Sequence, residues 1–134
     1  MKEKLLKLLD NSYSPYSNFA VSSIAVMKDG NEFPGVNVED ASTRVGVCAE
    51  RCAMFNAIAN GYKKGDFKEI NVMVSSGKIG TPCFSCRQLL LEFMDETDTV
   101  KCWDTEGNYQ IFTVKDLCPY PFGEEDLKKW KVVL

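Results

Sequence analysis

The sequence predicts an α/β fold: a mixed sheet covered by helices on both faces. Three observations carry that expectation. An Asp29-Gly30 pair, a strong short-range hairpin signal, separates two β-rich stretches. From residue 48 onward, helical and extended patterns alternate, as crossover connections require. The 134 residues suffice for one core around a sheet but not for two, so residues 1–134 read as a single domain.

Each element has its own reason. Over residues 2–11, Leu5, Leu6, Leu8 and Leu9 form a helical stripe with lysines on the other side. Residues 11–18 are polar and turn-rich, hence loop. Residues 19–28 are small, apolar and β-branched, and pair through the Asp29-Gly30 turn with a strand near 32–38. Residues 48–60 are apolar on nearly every face, which marks a central buried helix, and Asn60-Gly61 ends it. A strand follows at 69–75, then a helix from Cys83 to about Asp95. Strands near 99–103 and 109–114 and a short helix near 124–130 complete the pattern.

Composition narrows function. Sixteen basic and nineteen acidic residues leave a net charge of −3 with no basic block, which disfavours a nucleic-acid polymer as partner. No apolar run reaches bilayer length and the N-terminal leucines are interleaved with charge, so a cytoplasmic protein without a membrane partner is expected. There is no histidine. Imidazole-based triads and imidazole general bases are therefore excluded, and a zinc site must use Cys, Asp or Glu.

Six cysteines in a reducing compartment point to metal ligation, redox chemistry or packing rather than disulfides. Cys83-Phe84-Ser85-Cys86 follows Pro82 at a predicted helix start. That spacing suits a redox pair or two zinc ligands. Cys48-Ala49-Glu50-Arg51, at the start of the buried helix, adds a thiolate and a carboxylate. Three thiolates would leave a tetrahedral zinc one open position, the arrangement of a catalytic site. Cys48 and Glu50 reach one point only if Cys48 sits at the helix end. Three thiolates bring −3 against +2, so helix N-termini and Arg51, beside a metal ligand, are candidates to offset the excess.

Cys-Ala-Glu followed by Pro-Cys-x-x-Cys resembles the signature of zinc nucleoside and nucleobase deaminases. Ser14-Pro15-Tyr16-Ser17-Asn18-Phe19-Ala20-Val21 is similar to the N-terminal motif of the small homotetrameric cytidine deaminases. Gly35-Val36-Asn37-Val38-Glu39 with Ala41-Ser42 resembles their ribose-binding segment, and Cys86-Arg87-Gln88 and Leu117 to Gly123 resemble their later motifs. The likeness runs from about residue 13 to 127 in the family's order.

The resemblance implies a three-layer α/β/α fold with a five-stranded mixed sheet of the cytidine deaminase type. It implies one Zn²⁺ per chain on Cys48, Cys83 and Cys86, with Glu50, not a ligand, moving protons. The implied reaction converts cytidine and 2′-deoxycytidine to uridine and 2′-deoxyuridine with release of ammonia, as in pyrimidine salvage. Arg51 would hydrogen-bond thiolate sulfur. Phe19 would stack on the pyrimidine, although an aromatic at a strand start also reads as core. Asn37 and Glu39, two apart on a strand, share a face and would hold the ribose 3′-hydroxyl; plain alternation also produces two solvated polar positions. Further implied contacts run from the Ala49 N–H to the base and from the Thr81 carbonyl to the leaving amine. Phe122 either enters a neighbouring subunit's site in a homotetramer or packs the C-terminal helix.

The chain departs from the family pattern at Ser22, Asp40, Thr43, Arg44, Phe84 and Cys118, none of them an implied ligand. Three rivals stay open: a deaminase of another small nucleoside-like substrate, a non-catalytic zinc module in which Cys52 completes four cysteines, and a thioredoxin-like redox protein using Cys83 and Cys86 alone, which leaves Cys48-Ala49-Glu50 unexplained. Cys52 also reads as a small buried residue, as do Cys102 and Cys118.

Overall fold

A computed structural model describes residues 1–127. Strand β1 (Val21–Met27) is the hub of the sheet. It runs antiparallel to β2 (Glu32–Val36) on one side and to β3 (Phe67–Val74) on the other. β3 pairs in parallel with β4 (Thr99–Trp103), and β4 pairs antiparallel with β5 (Tyr109–Thr113). The order is β2-β1-β3-β4-β5, the expected five-stranded mixed sheet. The Asp29-Gly30 hairpin forms as expected, with Gly30 at a φ of 91° that suits glycine.

Alternation along the strands builds a layer on each face. Val21, Ala25, Ile70, Val72, Val74, Val100 and Cys102 belong to the larger core. Helix α2 (Ala49–Ala59) contributes Ala49, Ala53, Met54 and Ala57 to it, and α3 (Phe84–Phe93) contributes Leu90. Ile24, Met73 and Trp103 pack instead with Leu5 of α1 (Lys2–Leu9). Ser22, where the family pattern has glycine, donates its hydroxyl to the Leu5 carbonyl at 2.8 Å and so ties α1 to β1. On the same face, the buried Asn71 side chain accepts from the Trp103 indole N–H at 3.1 Å.

Boundaries differ from the sequence expectation in physical detail. β3 starts at Phe67, two residues early, because Phe67 pairs with Met27 past a register shift that inserts Lys68 as an extra residue in β3. The expected strand to residue 114 stops at Thr113, where Thr113 and Asp116 form a capping box that opens a short helix α4 (Val114–Leu117). Of the helix expected near 124–130, residues Glu124–Leu127 form a 3-10 turn; the remainder lies outside the described residues.

Gly35 sets how closely α2 approaches β2. A Cβ at Gly35 would overlap the Ala53 nitrogen and stand 2.5 Å from the Ala49 carbonyl oxygen. Those atoms belong to backbone and cannot swing away. Gly35→Ala should therefore displace the first turns of α2 and lower stability by about 1–3 kcal/mol, read from urea unfolding midpoints. A midpoint equal to that of the parent chain would show that β2 and α2 separate without cost.

Candidate metal centre

Two helices begin at cysteines. Cys48 directly precedes α2 and Cys83 directly precedes α3, both with extended backbone. At neither helix does a side chain cap the first turn. The unpaired N–H groups and the positive dipole ends therefore lie at the two sulfur-bearing residues. Cys86 sits in the first turn of α3 and is buried.

The three sulfurs converge. Cys48 Sγ and Cys83 Sγ are 3.7 Å apart, Cys83 Sγ and Cys86 Sγ are 3.5 Å apart, and all three lie within 4.8 Å of one another. A tetrahedral zinc with Zn–S bonds of about 2.3 Å sets S···S edges of roughly 3.8 Å. Donor chemistry and spacing thus both fit zinc. Among the described residues the cluster contains neither Cys52 nor Glu50, so no fourth protein ligand closes it. Cys52 instead donates its backbone N–H to the Cys48 carbonyl one turn earlier.

Glu50, in the first turn of α2, is 4% exposed. Burial pushes its carboxyl up to about 7; the Cys48 charge adds to this, while a backbone N–H, Arg51 and Cys86 oppose it. A buried carboxyl thus lies beside the cluster, and Glu50 and Cys86 influence each other's charge. Arg51 donates from Nη2 to Cys48 Sγ at 3.4 Å. Hydrogen bonding from Cys86, helped by Arg51 and Cys83, brings Cys48 down to about 5. Cys86 is held as the thiol by that same bond and by burial. Cys102, buried away from the cluster, is pushed up to about 12 by desolvation.

A cleft of about 470 Å³ opens beside Cys48 and Arg51, with Tyr16, Asn37, Glu39 and Thr43 among its walls. Asn37 and Glu39 lie just beyond β2, and both turn toward the loop at residues 12–19. Asn37 Oδ1 accepts from the Val21 N–H at 2.9 Å, and Asn37 Nδ2 donates to the Phe19 carbonyl at 2.7 Å. The Glu39 carboxylate accepts from the Tyr16 and Ser17 N–H groups at 3.0 and 3.2 Å and from the Ser17 hydroxyl. The pair therefore braces the strap that presents Phe19, which is 42% exposed. Ala49 opens α2, buried, with an N–H that the helix itself cannot satisfy. The Thr81 hydroxyl accepts from Arg87 Nη2 at 2.9 Å in the loop before Cys83. Phe122 is 57% exposed, and its carbonyl accepts from Gln88 Nε2 at 2.6 Å.

Asp40 is a residue whose work the sequence did not disclose. Its carboxylate accepts from the N–H groups of Ser42, Val45 and Gly46 at 2.8, 2.9 and 2.7 Å, and from the Ser42 hydroxyl. These bonds, that of Ser42 foremost, hold it below its ordinary range. They fold the turn through Thr43, at φ 59°, that delivers Val47 and Cys48 to α2. An Asn there has one acceptor oxygen rather than two, so the departure to Asp fits this turn.

Comparison with known proteins agrees with this geometry. Residues 1–102 match the family described as the cytidine and deoxycytidylate deaminase zinc-binding region. A cytidine deaminase of Halalkalibacterium halodurans is 34% identical, the match covering 93% of each chain. One from Sporosarcina psychrophila is 33% identical, again over 93% of each. The crystal structure of cytidine deaminase from Burkholderia pseudomallei superposes with a TM-score of 0.82 at 36% identity, covering 91% of this chain and 99% of that one.

The Glu50 environment has a measurable consequence once a chelator has removed the metal. A carboxyl whose folded pKa is raised holds its proton more tightly folded than unfolded. Its ionisation between the ordinary 4.5 and the folded value of about 7 therefore favours unfolding. Across that window the parent chain should lose on the order of 3 kcal/mol relative to Glu50→Gln, with the gap constant above it. Urea midpoints of both chains at about pH 4, 6 and 8 measure the gap. A gap independent of pH would contradict the buried-carboxyl account.

Proposed function

This chain belongs to the cytidine and deoxycytidylate deaminase family, and from that membership we propose that it hydrolyses free cytidine and 2′-deoxycytidine to uridine and 2′-deoxyuridine, releasing ammonia. The single observation that supports this most is the pairing of three convergent thiols with a buried carboxyl that is not among them. A closed structural site has no use for Glu50. A hydrolytic site lacking histidine needs such a group.

Cys48, Cys83 and Cys86 would hold the ion. Zinc bound there supplies Lewis acidity that makes water a nucleophile near neutral pH. Glu50 accepts one proton from the attacking water and delivers it to ring N3, then takes the proton of the new C4 hydroxyl and passes it to the departing amino group as the C4 carbonyl forms, so water and cytidine balance uridine and ammonia. Arg51 offsets thiolate charge through its bond to Cys48. Phe19 would stack on the pyrimidine, and Asn37 and Glu39, which line the cleft while bracing the loop beside it, would hold the ribose 3′-hydroxyl. The Ala49 N–H and the Thr81 carbonyl fix the base.

Residues 1–134 act as one deaminase domain, in the cytoplasm and in pyrimidine salvage. Among the described residues no helix is long and apolar enough to cross a membrane. The working form is a homotetramer in which the exposed Phe122 ring reaches a neighbouring subunit's site; exposed apolar side chains at Phe84, Tyr120 and Phe122 suit such burial.

The test is an ultraviolet assay with cytidine alongside zinc analysis. The parent chain should carry about one zinc and release uridine. Glu50→Gln should retain the zinc and lose at least 10²–10⁴-fold in turnover, roughly the share of general acid–base catalysis. Near-normal turnover in Glu50→Gln would remove the carboxyl from the mechanism. A parent chain with zinc but no turnover of cytidine or deoxycytidine would remove the substrate assignment.

A further inference from the structure

We propose that Arg87 is a positioning residue for the metal centre: its guanidinium fixes the peptide that carries Cys83. The inference rests on the zinc reading above and assigns a task to a side chain that touches no sulfur.

Cys83 is the ligand that packing supports least. It is exposed, whereas Cys86 is buried in the first turn of α3. Its position depends on the loop that leads into the helix, and Arg87 holds that loop. The side chain folds back past the helix start, and Nε donates to the Pro82 carbonyl at 2.7 Å. That carbonyl is half of the peptide bond to the Cys83 nitrogen, so the hydrogen bond orients the plane from which the Cys83 side chain departs. Nη2 donates to Thr81 Oγ1 at 2.9 Å, one residue earlier.

The other branch of the fork supplies the anchor. Nη1 donates to the Leu117 carbonyl at 2.9 Å, at the end of α4, where Val114 and Leu117 are buried in the core. An exposed metal-binding loop is thereby fastened to a fixed element thirty residues away. The Arg87 backbone joins in: its carbonyl accepts from the Cys118 thiol at 3.6 Å. The Phe84 ring lies 4.4 Å from the guanidinium carbon and covers one face of the fork, giving this departure from the family pattern a partner.

The planar fork of arginine is what these bonds require. Three donors point in fixed directions to three oxygens on two segments. A lysine ammonium is a single point charge on a flexible stem and cannot span Pro82 and Leu117 together. Positioning of this kind acts on the rate at which the ion escapes, because a ligand free to swing away opens the site.

The experiment uses the zinc-loaded chain, Arg87→Lys and Arg87→Ala, with release of zinc to excess chelator followed optically. Arg87→Lys should release zinc about 10–100-fold faster than the parent, and Arg87→Ala at least as fast, with far-UV circular dichroism unchanged. In the cobalt(II)-substituted chains, the ligand-field bands of Arg87→Lys should shift, reporting altered sulfur geometry. Release from Arg87→Lys within about twofold of the parent overturns the proposal. So does faster release with unshifted cobalt bands and a lowered urea midpoint, the result of a merely weakened fold. If Arg87→Ala fails to fold, Arg87→Lys alone decides. A parent chain that holds no zinc would instead defeat the underlying zinc reading, so the two failures are distinguishable.

Discussion

Two helix N-termini must end at one point. Everything at the site follows from that requirement, because the sulfurs of Cys48, Cys83 and Cys86 come from separate segments and converge within 4.8 Å. The sheet makes it possible. β1 lies between β2 and β3, so the chain leaves β2, crosses through α2 and returns in β3. It then crosses again through α3 to β4, parallel to β3. Both helices contribute to the same core, and each starts directly after a cysteine.

Convergence is held by backbone proximity on one side and polar bracing on the other. Gly35 brings α2 down onto β2 with no intervening side chain. The Asp40 turn and the Val38–Val47 bridge then deliver Cys48 to the helix start. On the α3 side, the corresponding brace is the fork of Arg87. The charge of the cluster is shared in the same local way, by the dipole ends of two uncapped helices and by the Arg51 contact to Cys48. With no histidine in the chain, the proposed reaction assigns proton transfer to Glu50, whose burial raises its pKa toward neutrality.

Much of this was legible in the sequence because it is local. The all-round apolar character of residues 48–60 marks α2 as central, and Ala49, Ala53 and Ala57 are indeed fully buried. Cys48 at the helix end, the position needed for it and Glu50 to share a site, follows from its place before the apolar run. Leu5 identifies α1 as a covering helix through its stripe. What escaped is either non-local or subtle in its local signal. The Thr113–Asp116 capping box is visible in hindsight, but a β-rich run into Val114 obscures it. The partners of Arg87 lie at Leu117 and Pro82, and no periodicity connects them. Asn37 and Glu39 were legible as residues sharing a face. That the face is the strap holding Phe19 depends on how residues 12–19 cross over them. Cys52 shows the limit of helical spacing as a guide: one turn from Cys48, it is still not among the sulfurs that converge.

The central claim is an open tetrahedral corner: three sulfurs of this chain and no fourth protein ligand. Zinc K-edge X-ray absorption on the purified protein tests it most directly. The account predicts three sulfurs at about 2.3 Å and one lighter oxygen or nitrogen scatterer near 2.0 Å. Four sulfurs would bring Cys52 or another cysteine into the site, close the corner, and contradict the account.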